Sequence, residues 1–136
     1  MIDEPDLKAV ESSLERCAAN PRFLERFYDL FLEASPAVRE KFKDTDFHRQ
    51  RRMVQASLHG LISFVRYGES WPDPYLREVA ETHSRRDLDI APELYELWLQ
   101  SLLQAVGEHD SQHTAALHYA WQRVMREGIR FFTSRY

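Results

Sequence analysis

Four of the six prolines in this chain stand where a helix would begin. Pro5 follows Asp3-Glu4, Pro21 follows Asn20, Pro36 follows Ser35, and Pro92 opens the apolar stretch Leu94-Tyr95. Proline has no N–H and a fixed φ, so the first turn of a helix is the place that tolerates it, and Asn or Ser just before it caps the free amides. Asp3, Glu4 and Asp6 also set negative charge at the positive end of the first dipole. Behind each start, apolar residues recur at spacings of three, four and seven, which is one face of a helix. Only four glycines are present, too few and too scattered for a β-sandwich or a phosphate-cradling loop. No GxGxxG, no GxxxxGK[ST] and no strand-like alternation occurs, so dinucleotide and P-loop chemistry are excluded and the fold class is all-α.

The periodicity predicts seven helices. Leu7, Val10, Leu14 and Cys17 share a stripe in a first helix to about residue 18, and Phe23, Leu24, Phe27, Tyr28, Phe31 and Leu32 give the second a wide aromatic face that belongs at the centre. A short third helix ends near Lys41-Phe42. After the polar loop 43–46, with Thr45 or Asp46 as cap, Phe47, Val54, Leu58, Leu61 and Val65 mark a helix of about five turns on which Gln50 lies one turn before Val54. Tyr67-Gly68 and Trp71-Pro72-Asp73-Pro74 break the pattern. A short helix from about Tyr75 to Arg86 places Leu76, Val79 and His83 on one face. The helix begun by Pro92 carries Leu94, Leu97, Trp98, Leu102 and Val106 to a turn at Gly107–Asp110. Asp110 or Ser111 then caps a last helix with Leu117, Trp121, Val124, Met125, Ile129 and Phe132. No repeat or linker interrupts the series, so residues 1–136 are expected to form a single domain.

Composition removes several function classes. One cysteine, Cys17, allows neither an internal disulfide nor a Cys-rich metal site, which fits a reducing cytoplasm. Acidic residues crowd the first twenty positions and the longest apolar runs are only a few residues, so neither a signal peptide nor a membrane span is expected. The net charge is −4 with both signs interspersed, which gives nucleic-acid binding little support. The local run Arg49-Gln50-Arg51-Arg52 reads as a solvated helix face. His48 and His59 fall on the polar side of the same helix. His109 and His113 have the i, i+4 spacing of a zinc pair, but the turn at His109, the different face of His118 and the lack of an acidic second shell count against a zinc site. No Gly-x-Ser-x-Gly occurs and Cys17 has no placed histidine partner, so hydrolase chemistry has no footing.

Two features are unusual for a plain bundle. The short helix bearing His83 is bounded by loops and buries little of itself, so it needs a further surface to pack on, and a flat apolar cofactor would supply one. Tyr28 sits in the middle of a Phe-rich face, where a buried hydroxyl costs a few kcal/mol unless it reaches a partner, a carbonyl or the surface.

With these residues in order, the chain resembles the globins, specifically bacterial single-domain globins and the haem domains of flavohaemoglobins and globin-coupled sensors. The resemblance rests on Phe27-Tyr28-Asp29-Leu30-Phe31, Pro36 through Lys41-Phe42, Thr45-Asp46-Phe47 with Gln50 and Val54, Thr82-His83, and Pro92-Glu93-Leu94-Tyr95. It implies an all-α, three-over-three sandwich around one haem b (iron protoporphyrin IX), with His83 as the proximal metal ligand. It also makes Phe42 the wedge against the haem, Tyr28 the distal tyrosine, and Gln50 and Val54 the two distal positions one turn apart. A one-residue slip in the short loop after Phe42 would put Arg51 in place of Gln50. Bound O₂ carries negative charge on its outer atom, and a phenolic O–H with an amide N–H beside it can donate to that charge, slowing O₂ loss and favouring O₂ over CO. Tyr95 matches the tyrosine that, with a last-helix glutamate, polarises the proximal histidine of flavohaemoglobins. An ungapped count from Trp121 brings that glutamate position to about Tyr136, so a strongly electron-donating proximal side is not expected.

The flavin and NADH modules of flavohaemoglobins have no counterpart in these residues. The resemblance therefore implies reversible binding of O₂, NO and CO, with NO dioxygenation only if an external reductase returns the iron to the ferrous state. The alternative it leaves open is a gas or redox sensor signalling to a partner protein. Either reading is compatible with a homodimer.

Overall fold

The computed structural model describes residues 2–68 and 91–134. Six helices occur among them, with no strand: α1 (Glu4–Ala18), α2 (Arg22–Ala34), α3 (Pro36–Lys41), α4 (Phe47–Tyr67), α5 (Pro92–His109) and α6 (Ala115–Ser134). The predicted short helix around His83 lies outside the described residues.

The starts follow the local chemistry. The Asn20 side chain accepts from the Arg22 amide at 2.9 Å, Ser35 Oγ from Ala37 at 3.1 Å, and Asp46, rather than Thr45, from both His48 and Arg49 at 3.1 and 3.3 Å. At its far end α4 stops on Gly68, whose φ of 72° is the left-handed conformation that suits glycine.

Two boundaries differ from the sequence reading. Gly107 does not begin a turn but lies in the last turn of α5, which runs on to His109. The last helix is capped by Thr114, whose hydroxyl accepts from Leu117 N at 3.1 Å, and not by Asp110 or Ser111. Asp110 is engaged elsewhere. Its side chain is fully buried and accepts from Ser13 Oγ at 2.5 Å, from Arg16 Nε at 2.6 Å and Nη2 at 2.9 Å, and from Gln112 N at 2.9 Å. Trp121 Nε1 donates to the same Ser13 hydroxyl at 2.9 Å. One carboxylate thus ties α1, the α5–α6 corner and α6.

Around this joint α1 packs on α6, α2 on α5, and α4 on α6. A Cβ at Gly128 of α6 would meet Leu61 Cδ2 of α4 at 2.6 Å, so the absence of a side chain there sets how closely α4 and α6 approach. Leu14, Cys17, Phe23, Phe27, Leu58, Leu99, Val106 and Trp121 are completely buried between them. Outer ion pairs join the same helices: Arg123 to Asp6, Arg126 to Glu96, Arg26 to Glu108, and Arg66 to Glu4 and Glu11. Being largely exposed, most add little to stability.

Burial alone would push the Asp110 carboxyl up, but the bonds from Arg16, Ser13 and Gln112 outweigh it and hold it at about 2, against 3.8 for a free group. The folded state therefore gains ~2 kcal/mol above the free carboxyl's range, and loses it as pH falls from about 4 toward 2. Asp110→Asn should remove that acid-side slope and lower stability near neutral pH by about 2 kcal/mol or more. Urea unfolding of both proteins between pH 2 and 7 measures this, and parallel curves would remove Asp110 from the role.

Candidate functional site

The middle of α2 presents three aromatic residues within five positions. Phe27 is buried in the core, stacked on Phe31 at 5.7 Å and edge-on to Trp98 of α5 at 5.9 Å. This anchors α2 to α5 and turns the next residue, Tyr28, toward α3 and α4. There the Tyr28 ring meets Phe42 at 5.8 Å and Phe47 at 5.4 Å, both edge-on. Such pairs contribute beyond the area they bury.

Phe42 is placed by the end of α3, where its amide donates to the Val38 and Arg39 carbonyls and the helix stops. Phe47 is the first residue of α4, directly after the capping Asp46. Their rings lie 6.0 Å apart and inclined by 33°. Neither is fully covered by protein, although Tyr28 behind them is only 4% exposed. The result is an aromatic wall with one apolar face open.

The hydroxyl of Tyr28 lies near enough to the side chain of Gln50, one turn into α4, for that amide to favour its ionised form, and it feels the positive charge of Arg51. Burial raises its pKa to about 12 despite both, so the phenol keeps its proton. Val54, one turn beyond Gln50, is buried on the same stripe. Tyr28, Gln50, Phe42 and Val54 are therefore brought into one region by the α2–α4 crossing. Tyr95, in the first turn of α5, is half-buried and its phenol is also pushed up to about 12 by burial. His83 and Tyr136 lie outside the described residues.

The sequence reading did not single out Phe47 as a site residue. Its signal was available, because Phe47, Gln50 and Val54 stand at i, i+3 and i+7 on one helical face. His48 and His59 are exposed on α4 as read, whereas His109, expected in a turn, is the last residue of α5. No grouping of three or more His, Cys, Asp or Glu residues able to hold a metal occurs among the described residues. Burial, and then the nearby Asp110 charge, push the Cys17 thiol up to about 12, which leaves it a poor nucleophile.

A helical frame with a buried phenol and a half-buried amide beside a half-buried aromatic wall can be compared with known proteins. The chain matches the globin family model over residues 25–130. The chain belongs to the globin family. It also superposes on a crystal structure of PA3967 from Pseudomonas aeruginosa PAO1, described as structurally highly homologous to a human haemoglobin. The TM-score is 0.90 at 40% sequence identity, over 96% of this chain and 98% of that one. No curated protein matches the chain.

The expected all-α globin fold is thus the fold of this protein. Family membership brings haem as cofactor and diatomic gases such as O₂ as ligands. The residues present fit that cofactor. A half-buried wall of Phe42 and Phe47 suits a flat apolar ring, and a buried hydroxyl with a half-buried amide suits a small polar ligand lying against it. In this globin no described helix is long and apolar enough to cross a membrane.

Because burial holds the Tyr28 phenol protonated, its contribution to stability is present below pH 10 and falls away as pH rises toward 12. A spectrophotometric phenol titration should show the late ionisations of Tyr28 and Tyr95 near pH 12, of which Tyr28→Phe loses one. An unchanged titration curve would mean that Tyr28 is not shielded from water.

Proposed function

We propose that this protein is a single-domain haem b globin that binds O₂ reversibly, with His83 as the proximal ligand and Tyr28 and Gln50 as the groups that hold the gas. The observation that carries this reading is the buried Tyr28 hydroxyl with the Gln50 side chain as its partner, behind the open aromatic face. The haem would supply the iron at which a diatomic gas binds. The protein's own residues do the rest. Tyr28 is kept neutral and can donate its proton in a hydrogen bond, while the amide of Gln50 offers an N–H from the next helix. Both favour a ligand that gathers negative charge, O₂ above CO. Phe42 wedges the ring, Val54 limits the space beside it, and Tyr95 closes the side nearer α5.

Gln50 rather than Arg51 is the distal partner in this reading, because the Gln50 amide acts on the Tyr28 hydroxyl at hydrogen-bonding range while Arg51 acts only through its charge and lines the outer cleft. The same pair suits NO dioxygenation, in which NO and O₂ combine to nitrate with one electron drawn from a separate reductase. The sensor alternative would require gas-dependent binding to a partner protein, which a pull-down with and without CO can test.

His83→Ala should abolish tight haem binding. A variant that keeps an intense Soret band with unchanged gas-induced shifts would defeat the proximal assignment. Tyr28→Phe should speed O₂ dissociation by about tenfold for each ~1.4 kcal/mol of hydrogen bond lost. Stopped-flow off-rates for Tyr28→Phe, Gln50→Ala and Arg51→Ala check this, with the first two rising and the third changing least. An off-rate that responds to Arg51 and not to Gln50 would reverse the distal assignment.

A further inference from the structure

On the outer side of α4 a cleft of about 330 Å³ opens against the α1–α2 corner, with Pro21, Phe23 and Leu24 on one side and His48, Arg51 and Arg52 on the other. His48, Arg51, Arg52 and Gln55 lie at i, i+3, i+4 and i+7, so they form one stripe of α4. That stripe lies about a third of a turn around the helix from the one carrying Phe47, Gln50 and Val54, with Arg51 at its inner edge.

The charges there are unusual for this molecule. Six described arginines, Arg16, Arg26, Arg66, Arg123, Arg126 and Arg130, are each paired with a carboxylate, and Arg39 donates to the Leu32 carbonyl. The guanidinium groups of Arg22, Arg49, Arg51 and Arg52 have no acidic partner among the described residues. All four lie at the start of α2 or in the first turns of α4, in a protein whose net charge is −4. Acidic side chains outnumber basic ones, yet among the described residues none forms an ion pair with these four arginines.

We infer that this cleft binds a small organic anion, a carboxylate or phosphate monoester carrying an aromatic or branched apolar body. The guanidinium groups of Arg51 and Arg52, on neighbouring residues of α4 that both line the cleft, can grip the anionic head, for which planar guanidinium is matched in geometry. Pro21 and Leu24 offer the apolar side that a bare ion would leave unused. The volume is at the lower end of ligand sites, which limits the body to about one ring. Nucleic acid is not favoured, since the cationic surface is confined to one cleft of an acidic protein.

The test is a titration of the protein as purified, reduced and under CO so that anions cannot compete at a haem iron. Phenyl phosphate, benzoate, inorganic phosphate and the neutral benzamide are added separately, and ¹H–¹⁵N spectra including the arginine Nε–H resonances are followed. Saturable shifts confined to residues around 18–24 and 48–55, with phenyl phosphate and benzoate binding about tenfold or more tightly than benzamide, support the site. Arg51→Gln with Arg52→Gln should weaken benzoate about tenfold or more, and Arg52→Gln alone should weaken it measurably. Shifts that do not saturate, or that survive the double substitution, overturn the inference. Inorganic phosphate binding as tightly as phenyl phosphate would also overturn it, because the apolar side would then contribute nothing.

Discussion

The fold hangs on a buried carboxylate. Asp110 has no access to water, and taking a charge into the interior is unfavourable unless it is met by hydrogen bonds on every side. Ser13, Arg16 and the Gln112 amide meet it, and Trp121 closes the set through Ser13. Because these groups come from α1, the α5–α6 corner and α6, satisfying the charge fixes three elements together. The haem-facing helices depend on that frame at one remove: α2 lies on α5 through Phe27 and Trp98, and α4 lies on α6 through Leu61 and Gly128. A shift in the frame would change the α2–α4 crossing, and with it the approach of Gln50 to Tyr28.

That crossing gives the site its chemistry. A phenol is an ordinary surface group when wet, but behind Phe42 and Phe47 it is held neutral and needs a partner. Gln50 supplies one without supplying charge. A carboxylate there would compete for the hydroxyl proton, whereas an amide keeps an N–H free to point at a ligand. The aromatic wall leaves an apolar face that the described helices do not cover, which is the arrangement a family built around haem requires.

Much of this could be read from the sequence because it is encoded locally. Asn20, Ser35 and Asp46 act within three residues of themselves, so helix starts follow from cap chemistry alone. Tyr28, Gln50, Val54 and Phe42 could be named from the order and spacing of motifs that resemble globins. What could not be read depends on distant partners. Asp110 looked like a cap because Asp caps helices, but its partners Ser13 and Arg16 are 97 and 94 positions away. Gly107 looked like a turn for the same reason, since only tertiary packing decides whether a glycine near a helix end is tolerated inside it. The run Arg49–Arg52 was legible as a basic helix face but not as one wall of a cleft, because the opposite wall comes from the α1–α2 corner.

Helix α4 consequently serves two surfaces with one register. Phe47, Gln50 and Val54 face inward to Tyr28, and His48, Arg51 and Arg52 face outward to the cleft. The two are not electrically independent. The Arg51 charge reaches the Tyr28 hydroxyl and works against the effect of burial, so the phenol is less reluctant to ionise than its surroundings alone would make it. Any group that neutralised Arg51 would remove that help and hold the Tyr28 proton more firmly, making the phenol a slightly weaker hydrogen-bond donor. A step of one residue along a single helix, from Gln50 to Arg51, is enough to link a charge on the outer surface to the acidity of the buried Tyr28 hydroxyl.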